Sequence, residues 1–238
     1  VSAAPPVSAT FSATGRPLVI SDCDEVLLHM VAPFRDWLAE AHDVDFSMKN
    51  ADFGQALRHR ASGSLVEPSD IWRYLNLFFD TEMHRQQAIA GAVEGINKLA
   101  EHADVVILTN LGDHRQEHRA QQLRDVGIHA RVFTNSGPKG PALKAILDEY
   151  RPSRAVFIDD LPQHHGSARD VVPHIARLHL CGEPLLAPHI DCAHAAGDAH
   201  ARIDDWASAL PWLLDRLTGA ELHGGSHEHE ALTKESRT

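Results

Sequence analysis

Short apolar runs that each end in a polar residue punctuate this chain. Leu18-Val19-Ile20-Ser21 runs into Asp22-Cys23-Asp24, Asp104-Val105-Val106-Ile107-Leu108 into Thr109-Asn110, and Ala155-Val156-Phe157-Ile158 into Asp159-Asp160. Runs of this length and β-branched content read as buried parallel strands. Further short strands are predicted at 130–133 and 175–180. Between them, hydrophobic positions recur at helical spacing. Val93, Ile96 and Leu99 mark a helix over 91–102, and further helices are predicted at 115–125 and 141–150. Trp206, Leu210, Leu213 and Leu214 give a closing amphipathic helix over 204–217. Strands alternating with helices predict an α/β fold, a Rossmann-like, mainly parallel sheet flanked by helices.

The pattern changes between 29 and 90. Phe34, Trp37, Leu38 and His42 fall near helical spacing, as do Ile71, Tyr74, Leu75 and Phe78, and no strand is predicted. Ser69-Asp70 offers an N-cap for the second helix. The stretch is too long for a simple strand-to-helix connection, so 30–90 is predicted to be an inserted helical subdomain. The core is then 13–29 together with 91–218. Residues 1–12 are expected to be a disordered lead, and 219–238 a disordered, histidine-rich tail.

Composition narrows the classes. The chain has 238 residues, 43% of them hydrophobic, enough for a sizeable core. No apolar stretch approaches the ~18 residues of a membrane span, and the first residues have neither the basic nor the apolar segment of a secretory signal. Three cysteines, an odd and low number, point to a reducing, cytoplasmic setting. A formal charge of −11 argues against duplex nucleic acid as a partner. A small phosphorylated metabolite remains compatible, because one metal ion and one lysine can neutralise a phosphate locally. Oligomeric state is not legible.

In open α/β sheets, ligands bind beyond the carboxyl ends of the strands, so the polar residues closing these runs should meet. Their identity and order resemble the haloacid dehalogenase superfamily. Asp22-Cys23-Asp24-Glu25-Val26-Leu27 is similar to that family's D-x-D-G-[TV]-[LV], followed in order by Thr109, Lys139 and the acidic pair Asp159-Asp160. The likeness covers about residues 17–216. Within the family, Phe78-Phe79-Asp80 through Gly91-Ala92-Val93, with Ile158-Asp159-Asp160-Leu161-Pro162, looks most like the 5′-nucleotidase (deoxyribonucleotidase) branch, whereas the helix before the acidic pair looks more like the generic phosphatases. In the family an insert after the first motif is a mobile cap over the site.

The resemblance implies a Mg²⁺-dependent phosphatase that hydrolyses a small phosphomonoester, a nucleoside monophosphate or a sugar phosphate, through an aspartyl-phosphate. Asp22 would be the nucleophile; with a reference pKa of ~3.9 it would be ionised at neutral pH without an activating base. Asp24 would serve as general acid and base while its backbone carbonyl faces the metal. Dehalogenases of the family lack an acid there, so Asp24 favours phosphoryl transfer. Thr109 and the Asn110 N–H would bind phosphate oxygens, and Lys139 would neutralise charge, with Lys144 the competing lysine. Asp22, Asp160 and the Asp24 carbonyl would hold Mg²⁺, with Asp159 behind them or a weaker ligand. Trp72, Tyr74, Phe78 and Phe79 could stack a base.

Two features depart from this picture. Glu25 stands where the family has glycine, and Cys23 is expected to pack inward. Cys181, His189, Cys192, His194 and His200 form a zinc alternative whose spacings match no finger pattern, and the tail histidines near 223–230 a weak metal-scavenging one. A phosphomutase with the same residues, or a non-catalytic phospholigand-binding protein, are the rival functions.

Overall fold

The computed structural model describes residues 15–48 and 53–219. The predicted lead and tail therefore lie almost wholly outside the described residues. Strand β1 (Leu18–Ser21) is followed by helix α1 (Val31–Ala41), strand β2 (Val44–Phe46), strand β3 (Leu57–His59) and helix α2 (Pro68–Thr81). The chain then alternates: α3 (Ala92–Ala100), β4 (Asp104–Thr109), α4 (Gln116–Asp125), β5 (Arg131–Thr134), α5 (Gly140–Tyr150), β6 (Ala155–Asp159), α6 (Pro162–Val171), β7 (Ala176–His179), β8 (Ala201–Arg202) and α7 (Trp206–Thr218).

Six strands form one parallel sheet in the order β5-β4-β1-β6-β7-β8. β1 lies between β4 and β6, with Ser21 paired to both Ile107 and Ile158. Strands on one side of β1 continue one way and those on the other side the opposite way, so β1 is the topological switch point. Crevices open at such points beyond the carboxyl ends. The central strands are apolar on both faces because both are covered. Val19, Ile107, Val156 and Leu178 pack toward Ile96, Leu123, Trp206 and Leu213. Ile20, Leu108 and Phe157 pack toward Leu143, Ile146 and Ala168 on the other side. No described helix is long and apolar enough to cross a membrane.

The insert has an interior of its own. Phe34, Trp37, Leu38, Leu57, Ile71 and Phe78 are buried together, joined by Cys181 and Leu186 from the loop after β7. Phe78 meets Phe34 edge-on at 5.4 Å and is fully buried, a side chain whose burial contributes about 2 kcal/mol. Two local expectations fail here. The insert is not wholly helical: β2 and β3 pair antiparallel, Val44 with His59 and Phe46 with Leu57. The cap of α2 is not Ser69-Asp70. The helix begins at Pro68, whose missing N–H costs nothing at a helix start, with extended Glu67 before it.

Helices α5 and α6 cross at Gly140. A Cβ there would run into the Ser167 carbonyl and hydroxyl and the Val171 side chain, while the Gly140 N–H donates to Ser167 Oγ at 2.9 Å. Gly140→Ala should therefore lower unfolding stability by about 1–3 kcal/mol, the range for overpacking a tight contact. Urea denaturation of the two proteins measures this, and an unchanged midpoint would show that the α5–α6 contact yields freely.

Candidate active site

The carboxyl ends of β1, β4 and β6 bring the polar residues together. Asp22 follows β1 directly, and its N–H donates to the Ile158 carbonyl at 2.8 Å, which ties it to β6. Its Oδ1 accepts from the Cys23 N–H at 2.7 Å and lies 2.9 Å from Lys139 Nζ. No described donor reaches Oδ2. Lys139 precedes α5 and is fully buried, and its ammonium also donates to Asp159 Oδ2 at 2.7 Å. Asp159 Oδ1 accepts from the Leu161 N–H at 2.9 Å, so both oxygens of Asp159 are engaged. The Asp160 carboxylate, buried beside it, accepts no hydrogen bond from the described residues. Lys144 is elsewhere, exposed and paired with Asp148 at 2.6 Å.

Burial dominates the electrostatics. It pushes Asp22 up to about 7 against the pull of Lys139, with Asp159 and Asp24 adding to the rise. Asp160 is raised well above the usual carboxylate range by burial and then by Asp159 and Asp22. Burial alone would lower Lys139, but Asp159 and Asp22 outweigh it and hold the ammonium charged. Asp159 is lowered: Lys139, with His164 and His165 behind it, overcomes its burial. The reference value that makes Asp22 a free carboxylate at neutral pH thus does not carry over to this buried setting. Three carboxylates face one ammonium, and a further cation would relieve the imbalance.

The residues fit a hard divalent cation. Oxygens of Asp22, Asp159 and Asp160 lie within 4.8 Å of one another, an all-oxygen donor set of the kind Mg²⁺ takes. The Asp24 carboxylate is not among them. Its backbone carbonyl, the atom expected to face a metal, accepts none of the described loop N–H groups.

Instead the Asp24 side chain is clamped. Arg119 Nη2 lies 2.9 and 3.1 Å from its two oxygens, and Gln86 Nε2 donates to Oδ1 at 2.7 Å. Arg119 also donates to Cys23 Sγ at 3.1 Å and is completely buried. Oδ1 is fully engaged by these bonds, whereas Oδ2 accepts only from Arg119 and keeps capacity for a further partner. Sequence reasoning missed Arg119, Gln86 and His164. The one signal for Arg119 was its place four residues before Leu123, on the only stripe of α4 that could face inward.

At the end of β4, Thr109 carries a buried hydroxyl without a partner among the described residues. The Asn110 side chain donates to the Gly137 carbonyl at 3.1 Å, accepts from Asn135 at 2.8 Å and lies 3.4 Å from His164 Nε2. Asp22, Asp24, Thr109, Asn110 and Asp160 share the floor of a cavity of about 770 Å³. The insert supplies much of its upper wall, including Trp72 and Phe79. The other two aromatics expected there, Tyr74 and Phe78, are buried in the insert's own core. Packing, not recognition, explains them.

Glu25 has a structural reason. Its φ of 61° lies in the left-handed region, the conformation for which glycine is the usual residue. Its Oε1 accepts from the Val31 N–H at 2.6 Å and the Met30 N–H at 3.1 Å, at the start of α1. The acid thus fastens the first helix of the insert to the motif turn, and burial pushes its pKa up to about 8. Cys23 packs inward, as expected.

The zinc alternative finds no support in the local bonding. His194 Nδ1 lies 3.1 Å from the Ala199 carbonyl, His200 Nδ1 accepts from the Arg177 N–H at 3.0 Å, and Cys192 Sγ accepts from the Ala195 N–H. Among the described residues, neither group placed to hold a metal contains them.

No family model matches the chain, and a comparison with curated proteins finds no match. Solved structures do match in fold. A haloacid dehalogenase-like family hydrolase from Streptococcus pneumoniae superposes with a TM-score of 0.57 at 13% identity, covering 84% of this chain and 99% of that one. A haloacid dehalogenase-like family hydrolase from Xanthomonas campestris gives 0.53 at 18% identity, covering 86% and 97%. A protein from Haemophilus somnus described as a predicted phosphoglycolate phosphatase gives 0.56 at 14% identity, covering 84% and 98%. At these identities the likeness concerns architecture: the chain has the haloacid dehalogenase-like fold, sheet and insert together.

Proposed function

We propose that this protein is a Mg²⁺-dependent phosphatase that hydrolyses a small phosphomonoester through an aspartyl-phosphate on Asp22. One observation carries the reading: a buried cluster of Asp22, Asp159, Asp160 and Lys139 lies at the switch point, on the same cavity floor as the unpartnered Thr109 hydroxyl.

Mg²⁺, held by Asp22 and Asp160 with the Asp24 carbonyl, would supply positive charge that lets an anionic carboxylate approach an anionic phosphate. The chain's own residues supply the rest. Lys139 and the Cys23 N–H hold Oδ1 of Asp22, which leaves Oδ2 as the attacking atom. Attack forms the Oδ2–P bond and breaks the bond from phosphorus to the leaving oxygen. Asp24, through its less engaged Oδ2, donates the proton that oxygen needs. The carboxylate of Asp24 then takes a proton from water, which attacks phosphorus, releases inorganic phosphate and regenerates Asp22. Thr109 and the Asn110 N–H hydrogen-bond the phosphoryl oxygens as charge builds on them. Asp159 keeps Lys139 in place. Arg119 and Gln86 set the resting position of Asp24. Of the two substrate classes expected from the sequence, a sugar phosphate finds few groups for its hydroxyls, and a nucleoside monophosphate finds flat rings for its base but few partners for its sugar and for the base's polar edge.

Asp22→Asn should lower turnover of an aryl phosphate at least a thousandfold, about 4 kcal/mol of transition-state stabilisation, with the fold intact by circular dichroism. In Asp24→Asn the second step should slow, so that mass spectrometry of the quenched reaction locates phosphate on Asp22. An adduct on another residue would reassign the nucleophile.

Removing divalent cations with EDTA should abolish turnover, and Mg²⁺ should restore it, with Asp160→Ala needing far more Mg²⁺ than the parent. Full activity in chelator would overturn the metal-dependent mechanism. Phosphate binding without turnover under any divalent metal would favour the non-catalytic phospholigand-binding reading.

A further inference from the structure

The chemistry on the cavity floor is common to every phosphomonoester, so the wall must choose among them. That wall is apolar. Met30, Val31, Phe53, Trp72, Leu75 and Phe79 line it from the insert, and Leu186 and Ile190 from the loop after β7. Among the described residues, no lysine or arginine lines the cavity. Its ionisable side chains are the acids Asp22, Asp24, Glu25, Asp160 and Asp191 and two histidines, His164 and His189. Lys139 is spent beneath the floor on Asp22 and Asp159. Arg115 and Arg119 stand behind the Phe79 ring, at 6.0 and 5.9 Å, bound to Asp80 and Asp24.

From this we infer that the enzyme takes a monoester whose leaving group is uncharged and mainly hydrocarbon, aryl or alkyl, seated against Trp72 and Phe79. The inference rests on the phosphatase reading above and names the substrate class for it.

Three observations support it. Away from the floor, a second anionic group such as a carboxylate would meet a wall with no lysine or arginine and with Asp191 on it; burying an unpaired charge is far costlier than burying a hydrocarbon. A polyhydroxylated body would lose water from more hydroxyls than this mainly apolar wall, with Gln163 and His189 among its few polar groups, can replace. Size points the same way: a cavity of about 770 Å³ lies in the range that encloses a drug-sized ligand, and a two-carbon leaving group would leave most of it empty. Trp72 adds a positive sign. It is 68% exposed and no part of the insert's hydrophobic core, so its ring is free for a ligand face. Where the fold neighbours include a protein described as a predicted phosphoglycolate phosphatase, this wall points away from that substrate.

The test compares alkyl monoesters, whose leaving groups all depart as alkoxides, so that differences report recognition. With Mg²⁺ present, kcat/KM should be at least tenfold higher for benzyl phosphate than for phosphoglycolate, glucose 6-phosphate or thymidine 5′-monophosphate. Trp72→Ala should then lower kcat/KM for benzyl phosphate about tenfold, chiefly through KM, and change that for methyl phosphate less than twofold. A purely structural tryptophan would affect both esters alike. Equal losses on the two esters, or a wild-type preference for any of the three polar substrates, would overturn the inference while leaving the phosphatase intact. No hydrolysis of any ester would instead overturn the phosphatase reading itself, and the inference with it.

Discussion

The buried ammonium of Lys139 is the contact on which the site depends. It lies between Asp22 and Asp159, which hang from two adjacent strands, and none of the three reaches bulk water freely. Burying charges is expensive, and removing one partner of such a group typically costs 3–5 kcal/mol because the rest are left uncompensated. The ammonium can stand there only because α5 begins immediately beside it, and α5 can begin there only because Gly140 allows α6 to approach. A backbone contact between two helices therefore decides where a charge sits at the end of β1. That charge in turn holds one oxygen of Asp22 and frees the other.

The insert is attached by polar clasps rather than by a continuation of the main core. Glu25 caps α1 with its side chain, while its carbonyl accepts from the Gly182 N–H at 2.7 Å. Arg115 reaches Asp80 and Asn76 on α2, at 2.7 and 3.1 Å. Gln86 bonds both Asp24 and the His29 carbonyl. Most of the insert's hydrophobic residues face one another, and its apolar contact with the rest of the chain includes Cys181, Leu186 and Ile190 from the loop after β7. Two of the clasps, at Glu25 and Gln86, involve the turn that carries Asp22 and Asp24, so a few hydrogen bonds tie the insert to the position of the Asp24 side chain.

Much of this was legible in the chain because of how parallel sheets are buried. β1, β4 and β6 are covered on both faces, so they appear as unbroken apolar runs, and the polar residues after them stand out. Other parts left no such trace. β2 and β3 are three residues each and alternate inward and outward, too short to separate from helix. β8 is two residues long. α6 buries His164 and His165 where a helix would usually place apolar residues, and α4 turns Arg119 inward beside a single leucine. A buried charge reads from sequence as a surface residue, because only its partner, here Asp24 some 95 positions away, reveals why it can be inside. Tyr74 and Phe78 show the converse error. Their spacing placed four aromatics on one segment but could not say which faced the insert's own core.

The division between floor and wall follows from these constraints. Each floor residue is held by several others at once, so little can change there without unpairing a buried charge. The wall is different in kind. Trp72 is largely exposed, so a substitution there costs little stability, whereas Phe53 and Leu75 also pack against the insert's core. A fold shared at 13–18% identity fixes where the strand ends meet, while the residues of the insert that line the cavity above them are free to differ. Chemistry can be argued from the strand ends and substrate from the insert, and the two arguments stand on different physical ground.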